Sequence, residues 1–203
     1  MGETKKKRHR ARDNTGGTYG SKQMFPLGAS ALRVDSTTSL KKSAPALRQT
    51  LLIWYGEQGR DLPWRRSRDP YAIWISEIML QQTQVKTVLP YYQRWLATFP
   101  TVVDLAEAEQ QAVLKAWEGL GYYARARNLH KTAQLLVEQH GGVFPKDFEA
   151  AIALPGIGRT TAGGILSAAY ILPVAILDGN VKRVLARLVA LPRPPAKAMD
   201  QLW

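Results

Sequence analysis

Glu77 stands within residues 62–85, LPWRRSRDPYAIWISEIMLQQTQV, where it is surrounded by tryptophans, aliphatics and three glutamines inside a strongly basic chain. Low-dielectric surroundings disfavour a carboxylate and raise its pKa, so an acid in this setting can keep a proton near neutral pH. A proton held there suits a general acid. A second carboxylate, Asp178 in ILDGNVKR (176–183), follows an apolar run directly and opens a helix. Between them in sequence is LPGIGRTTAGGIL (154–166), which reads as a short helix, a glycine turn and a second helix that begins with bare amides. Gly156 and Gly158 allow positive φ and leave the backbone uncovered, while a helix N-terminus offers N–H donors to an anion. Such a hairpin can hold a DNA phosphate without reading bases.

Each of these features also has a plainer reading. A partly buried helical acid is more often paired with an arginine than catalytic, and an Asp ahead of a helix is most often its N-cap. A lone Gly-x-Gly between helices is usually only a turn. Two acids flanking a phosphate-holding hairpin are what favour chemistry.

The elements that must position these groups are helical. From Pro45 onward the apolar spacing follows the helical period, and no alternating run is long enough for a convincing strand. Leu47, Leu51, Leu52, Trp54 and Tyr55 form one stripe ending near Gly59, and Asp69-Pro70 reads as N-cap and first position of a helix through Trp74, Ile75, Ile78 and Met79. Further helices are expected at about 84–97, 109–117, 124–139, 148–154, 159–171 and 180–190, bounded by Gly, Pro or capping residues. The fold class is therefore all-α.

Composition narrows the partner. Lys and Arg outnumber Asp and Glu 28 to 16, for a net charge of +12 and a pI near 10.1, which favours a polyanion such as nucleic acid. Ten basic and three acidic residues fall within 1–45, a leader rich in Gly, Ser and Thr that is expected to be disordered. Its KKKRHRAR could be a nucleic-acid-binding arm, a targeting signal, a solvated tail or an over-long start. The remaining 18 basic and 13 acidic residues keep the folded part positive without it. No apolar run reaches the ~18 residues a membrane helix needs, and no signal-peptide core is visible, so no membrane contact and an intracellular location are expected. The 45 % apolar fraction is enough for a core. With no cysteine, the chain has no thiolate nucleophile and no thiolate-held zinc or iron–sulfur centre of its own.

LPWRRSRDPYAIWISEIMLQQTQV, GLGYYARARNLHKTA, LPGIGRTTAGGIL and ILDGNVKRVLAR together resemble the adenine DNA glycosylase (MutY) family, in the helix-hairpin-helix glycosylase superfamily that includes endonuclease III. The likeness is nearly continuous over about residues 47–203. It implies an endonuclease III-like helical fold with a six-helix lobe at about 69–172 and a partial second lobe from 46–68 and 173–203. It also implies a base excision repair enzyme that hydrolyses the N-glycosidic bond of adenine mispaired with 8-oxoguanine or guanine. The partner is then double-stranded DNA carrying A:8-oxoG or A:G, bound by a monomer in the bacterial cytoplasm or nucleoid.

By the same resemblance Glu77 is the acid that protonates adenine N7 and helps to activate water. Asp178 stabilises the sugar cation, with Asn180 beside it in the same motif. Arg60, Leu62, Trp64, Arg65 and Thr160 line the base pocket, and Gln82 and Tyr122 wedge into the duplex. Gln81, Gly156, Gly158, Arg159 and Thr161 complete the DNA-binding set. The residues' own contexts add to this. Gln82 falls on the apolar stripe of Ile75, Ile78, Met79 and Val85, where a core position should not carry an amide. Trp64 after Leu-Pro could equally be a core plug. Tyr122 with Tyr123, Arg125 and Arg127 is an aromatic and basic mixture suited to stacking and phosphate contact.

Two departures qualify the resemblance. Strand-cleaving relatives place a lysine nucleophile where this chain has Thr160, and a hydroxyl cannot form a Schiff base. A monofunctional glycosylase is expected, although Thr160 also differs from the Ser or Tyr of adenine glycosylases. The family's [4Fe–4S] cluster is implied as well, but its four cysteines are absent from these residues, as is the domain that reads 8-oxoguanine. The apolar faces of Leu51, Trp54, Val184 and Leu188 are then expected to lack cover. A non-catalytic helix-hairpin-helix DNA-binding fragment and a thymine glycosylase acting on G/T mispairs stand as alternatives.

Overall fold

The computed structural model describes residues 36–202. They form α1 (Ser36–Gln58), α2 (Pro63–Arg66), α3 (Pro70–Leu80), α4 (Val85–Thr98), α5 (Val102–Glu107), α6 (Gln110–Ala116), α7 (Ala124–His140), α8 (Phe148–Ile152), α9 (Arg159–Tyr170), α10 (Gly179–Leu188), a 3-10 turn (Pro195–Lys197) and α11 (Met199–Leu202). No strand occurs among the described residues, in agreement with an all-α class. The reading of the leader as disordered falls on residues 1–35, outside the described residues, whereas 36–45 are the first turns of α1.

Local chemistry explains the helix starts that bear on the site. The Asp69 carboxylate caps α3 by accepting from the backbone N–H groups of Tyr71 and Ala72, with Pro70 at the first helical position. The six residues of α5, too few for periodicity to show, are started by a capping box in which Thr101 and Asp104 satisfy each other's backbone N–H.

The site is positioned by α3, which is buried along most of its length and packs against α4, α7 and α9. Trp74, Trp95 and Trp117 are essentially inaccessible, and Trp95 meets Trp117 edge-on at 5.5 Å and Phe99 at 5.1 Å. Edge-to-face pairs of this kind fix ring orientation as well as burying area. The outer helices differ. Leu51 and Trp54 on α1 are 56 % and 54 % exposed, Val184 and Leu188 on α10 are 53 % and 48 % exposed, and α10 buries no residue. The expected uncovered faces are present. No helix among the described residues is long and apolar enough to cross a membrane.

Candidate active site

Glu77 lies on α3 in the last turns before the chain leaves the helix. Its carboxyl group is held against α9: a β-carbon placed on Gly164 would stand 2.9 Å from Oε2 and 3.0 Å from the carboxyl carbon. Desolvation by this packing, reinforced by the negative charge of Asp178, raises the Glu77 pKa to about 7. Both causes favour the protonated form. The only ion pair between described residues joins Arg66 to Asp61, so no described cation neutralises Glu77. The arginine-paired reading of this acid is not the one observed.

Asp178 reaches the same place from a different direction. It is the N-cap of α10, and its Oδ1 accepts from the Val181 N–H at 2.7 Å. Asn180 Nδ2 lies 3.4 Å from Asp178 Oδ2, and Asn180 Oδ1 accepts from Arg183 Nη2 at 3.0 Å, which orients the amide toward the acid. Capping and function are therefore compatible in one residue. Asp178 is held by backbone, yet its charge acts on Glu77.

The connection is built by α9. A β-carbon on Gly163 would stand 2.3 Å from the Ala175 carbonyl oxygen, so the segment leading to Asp178 lies directly on the helix backbone. Thr160 Oγ1 donates to the Leu177 carbonyl at 3.2 Å, one residue before the acid. Expected as a pocket hydroxyl, Thr160 is found pinning the extended segment that delivers Asp178. Consecutive glycines on α9 thus serve the two acids separately, Gly164 against Glu77 and Gly163 against the 175–177 backbone. Their small size is visible in the sequence, but their neighbours lie too far along the chain for local pattern to reveal.

The hairpin forms as expected between α8 and α9, closed by the Ile157 N–H on the Leu154 carbonyl at 3.2 Å. Gly156 has φ +77°, and a β-carbon there would fall 2.9 Å from Asn128 Cβ. Gly158 departs from expectation: at φ −90° it is extended, and its use is the open space around its Cα at the helix mouth. Arg159 is exposed beside it. α7 supports this turn from below, with Thr132 Oγ1 donating to the Pro155 carbonyl at 2.9 Å. Thr161 is buried and accepts from Gln81 Nε2 at 3.2 Å, so these two expected DNA-binding residues bond to each other and tie the end of α3 to the start of α9.

Gln82 is not on the apolar stripe, because α3 stops at Leu80 and Gln81 is its C-cap. It stands in the following turn at φ +57°, exposed. Tyr122 is also left-handed, at φ +48°, and 66 % exposed. Both line one open cleft of about 500 Å³ with Gln81, Ala124 and Arg125. Non-glycine residues with positive φ are uncommon and concentrate where function demands the strain. The expected wedge pair is brought together.

The expected adenine-pocket residues divide. Leu62 and Trp64 are core residues, at 6 % and 8 % exposure, with Trp64 edge-on to Tyr92 at 5.2 Å; the core-plug alternative describes Trp64 as observed. Arg60 and Arg65 are exposed and contact each other, with Arg65 Nη1 on the Arg60 carbonyl at 3.0 Å and its guanidinium 5.3 Å from the Tyr55 ring. No group of three His, Cys, Asp or Glu residues able to hold a metal occurs among the described residues, and the 203 residues contain no cysteine. The donor set does not fit a four-thiolate cluster.

Residues 75–203 match the family model described as HhH-GPD superfamily base excision DNA repair protein. The chain is 51 % identical over 144 residues to an adenine DNA glycosylase of Buchnera aphidicola (strain Bp), covering 70 % of this chain and 41 % of that protein. It is 46 % identical over 169 residues to the Homo sapiens adenine DNA glycosylase, covering 78 % of this chain and 31 % of that one. It therefore spans well under half the length of these curated relatives. Among solved structures it is similar to a thermostable thymine-DNA glycosylase, with TM-score 0.68, 28 % identity, and 72 % and 68 % of the two chains covered. A non-covalent endonuclease III–DNA complex shares the fold at TM-score 0.64 and 23 % identity, covering 78 % and 75 %.

Proposed function

This chain belongs to the HhH-GPD superfamily of base excision DNA repair proteins, and we propose that it is a monofunctional adenine DNA glycosylase, or the catalytic region of one. One observation carries the reading: two carboxylates from distant parts of the chain are brought to one helix, Glu77 packed on Gly164 and the segment leading to Asp178 packed on Gly163, where burial first and the Asp178 charge second raise the Glu77 pKa to about 7. Adenine is a poor leaving group unless protonated, and the sugar it leaves develops positive charge. An acid and a fixed counter-charge answer these two needs.

In the proposed reaction Glu77 gives its proton to N7 of an extruded adenine, the N-glycosidic bond breaks with its electron pair moving to the base, and Asp178 faces the oxocarbenium ion. Water adds to the sugar carbon, and Glu77 takes up the proton that the water loses. Preorganised charge in a dry site is often the largest single catalytic term, and extrusion of the base is required before either acid can reach it. Thr160 donates its hydroxyl to a carbonyl and offers no amine, so the product is an abasic site with the strand intact. We place adenine opposite 8-oxoguanine or guanine as the substrate and the protein as a monomer in the bacterial cytoplasm or nucleoid.

The test is release of free adenine from a duplex carrying adenine opposite 8-oxoguanine, with a thymine–guanine duplex in parallel and borohydride added to trap any Schiff base. Adenine release without a trapped complex is expected. Thymine release alone would establish the thymine glycosylase alternative, and salt-sensitive binding with no base released would mark a DNA-binding module.

A further inference from the structure

Arg125 opens α7 beside the exposed Tyr122, yet its guanidinium turns inward. Nη1 donates to the carbonyls of Ile78 at 2.9 Å, Met79 at 3.1 Å and Gln81 at 2.6 Å, which are terminal acceptors of α3. Nη2 reaches Thr83 Oγ1 at 3.3 Å and the carbonyls of Leu120 at 3.2 Å and Gly121 at 3.4 Å. The rings of Trp117 and Tyr122 lie 5.1 Å and 5.5 Å from its central carbon. One side chain therefore joins two turns separated by about forty residues. Each turn carries a non-glycine residue in the left-handed region, Gln82 and Tyr122, and the two share a cleft. Strained backbone of this kind persists only where its surroundings over-determine it. Arg125 supplies bonds to both turns at once.

We propose that Arg125 is a positioning residue that never touches DNA: it holds Gln82 and Tyr122 as a matched pair at the separation needed to enter the duplex beside the extruded adenine. The proposal rests on the glycosylase reading above. A lysine retains the charge but not the planar fork that serves several carbonyls together, so Arg125→Lys separates geometry from charge.

Amide hydrogen exchange on the free 203-residue chain tests the clamp without DNA. In Arg125→Lys, exchange is expected to rise about tenfold or more in both turns, 81–83 and 120–123, while 154–161 is unchanged. Thr83→Ala, which removes one Nη2 partner and perturbs folding less, should give a smaller rise in the same two turns. A rise in one turn only, or in neither, overturns the proposal. With DNA, 2-aminopurine placed next to the target adenine reports unstacking. The fluorescence increase should fall in Arg125→Lys to the level of Tyr122→Ala, and the double variant should lose nothing further. The slope of binding against salt is read on Arg125→Ala, where it should match that of the parent. A slope reduced by about one phosphate contact would make Arg125 a DNA ligand and overturn the proposal. If both turns loosen together but the parent produces no fluorescence increase, the glycosylase reading fails, and the duplex-entry role with it, while the clamp between the turns stands.

Discussion

The Glu77 carboxyl group rests on Gly164, which has no β-carbon to push it into solvent; one added there would lie 2.9 Å from Oε2. The wall that dries the acid is thus a helix backbone, and the same helix carries Thr160 and Gly163 on the path to Asp178. Function and stability should part company at this contact.

Glu77→Gln should abolish adenine release, with a loss of at least about 100-fold, the lower end for removal of a general acid. It should also stabilise the protein at alkaline pH. The folded pKa of about 7 lies above the 4.5 of an unperturbed glutamate, so the stability linked to this proton is complete below 4.5 and is lost as pH rises through 7. The loss is on the order of 3 kcal/mol. Melting curves should show the variant above its parent at pH 8 and level with it near pH 4.5. A variant less stable than its parent at pH 8 would contradict the desolvated acid.

Adenine release should decline above about pH 7, where Glu77 gives up its proton. Asp178→Asn removes the like charge but keeps a side-chain acceptor for the Val181 N–H, so it should slow release strongly while the melting temperature barely moves. Any residual activity should have its upper limb shifted to lower pH. Asp178→Ala loses the cap as well and should cost about 1 kcal/mol more. Equal melting temperatures for the two variants would remove the capping role.

Gly163→Ala and Gly164→Ala should behave oppositely despite being neighbours. A methyl group at 163 meets the Ala175 carbonyl oxygen at 2.3 Å, a backbone atom that cannot step aside, and should destabilise by about 1–3 kcal/mol. At 164 it meets the movable end of Glu77, and the gain in helix propensity of up to ~1 kcal/mol is retained. The displaced carboxyl is better solvated, so the upper limb of the pH profile should move down. Thermal melts and pH–rate profiles of both variants check the contrast.

Thr160→Val deletes the hydrogen bond to the Leu177 carbonyl, worth about 1 kcal/mol. Because that bond sets where Asp178 stands, kcat should fall while KM and the salt dependence of binding remain near parental values. A rise in KM with kcat unchanged would instead make Thr160 a contact to DNA.

Much of the frame was readable from sequence because it is local. Capping at Asp69 and Asp178, the Leu-Pro-Gly hairpin and the helical stripes are interactions within a few residues, and α3, α7, α9 and α10 lie where periodicity and caps put them. Glu77 stood out because an acid among tryptophans and isoleucines is anomalous on its face. What could not be read is contact across the chain. Gly164 meets Glu77 from 87 residues away, Thr160 serves Leu177, and Arg125 looks like a surface cation until its carbonyl partners are known. Gln82 reads as part of the apolar stripe because the end of α3 carries no breaker, and of the two hairpin glycines, both free to take positive φ, Gly156 does so and Gly158 does not. Leu62 and Trp64, which the resemblance assigns to the base pocket, are packed in the core, and that packing is not visible from their neighbours in sequence.

The helix that carries Asp178 at its mouth buries none of its residues, whereas Glu77 is anchored in α3, which is buried along most of its length. Elements with so little buried surface open at a small fraction of the global unfolding free energy. On warming, the counter-charge should therefore wander from its post well before the tryptophan-rich interior gives way, so catalytic heat death precedes the calorimetric transition and reverses on cooling.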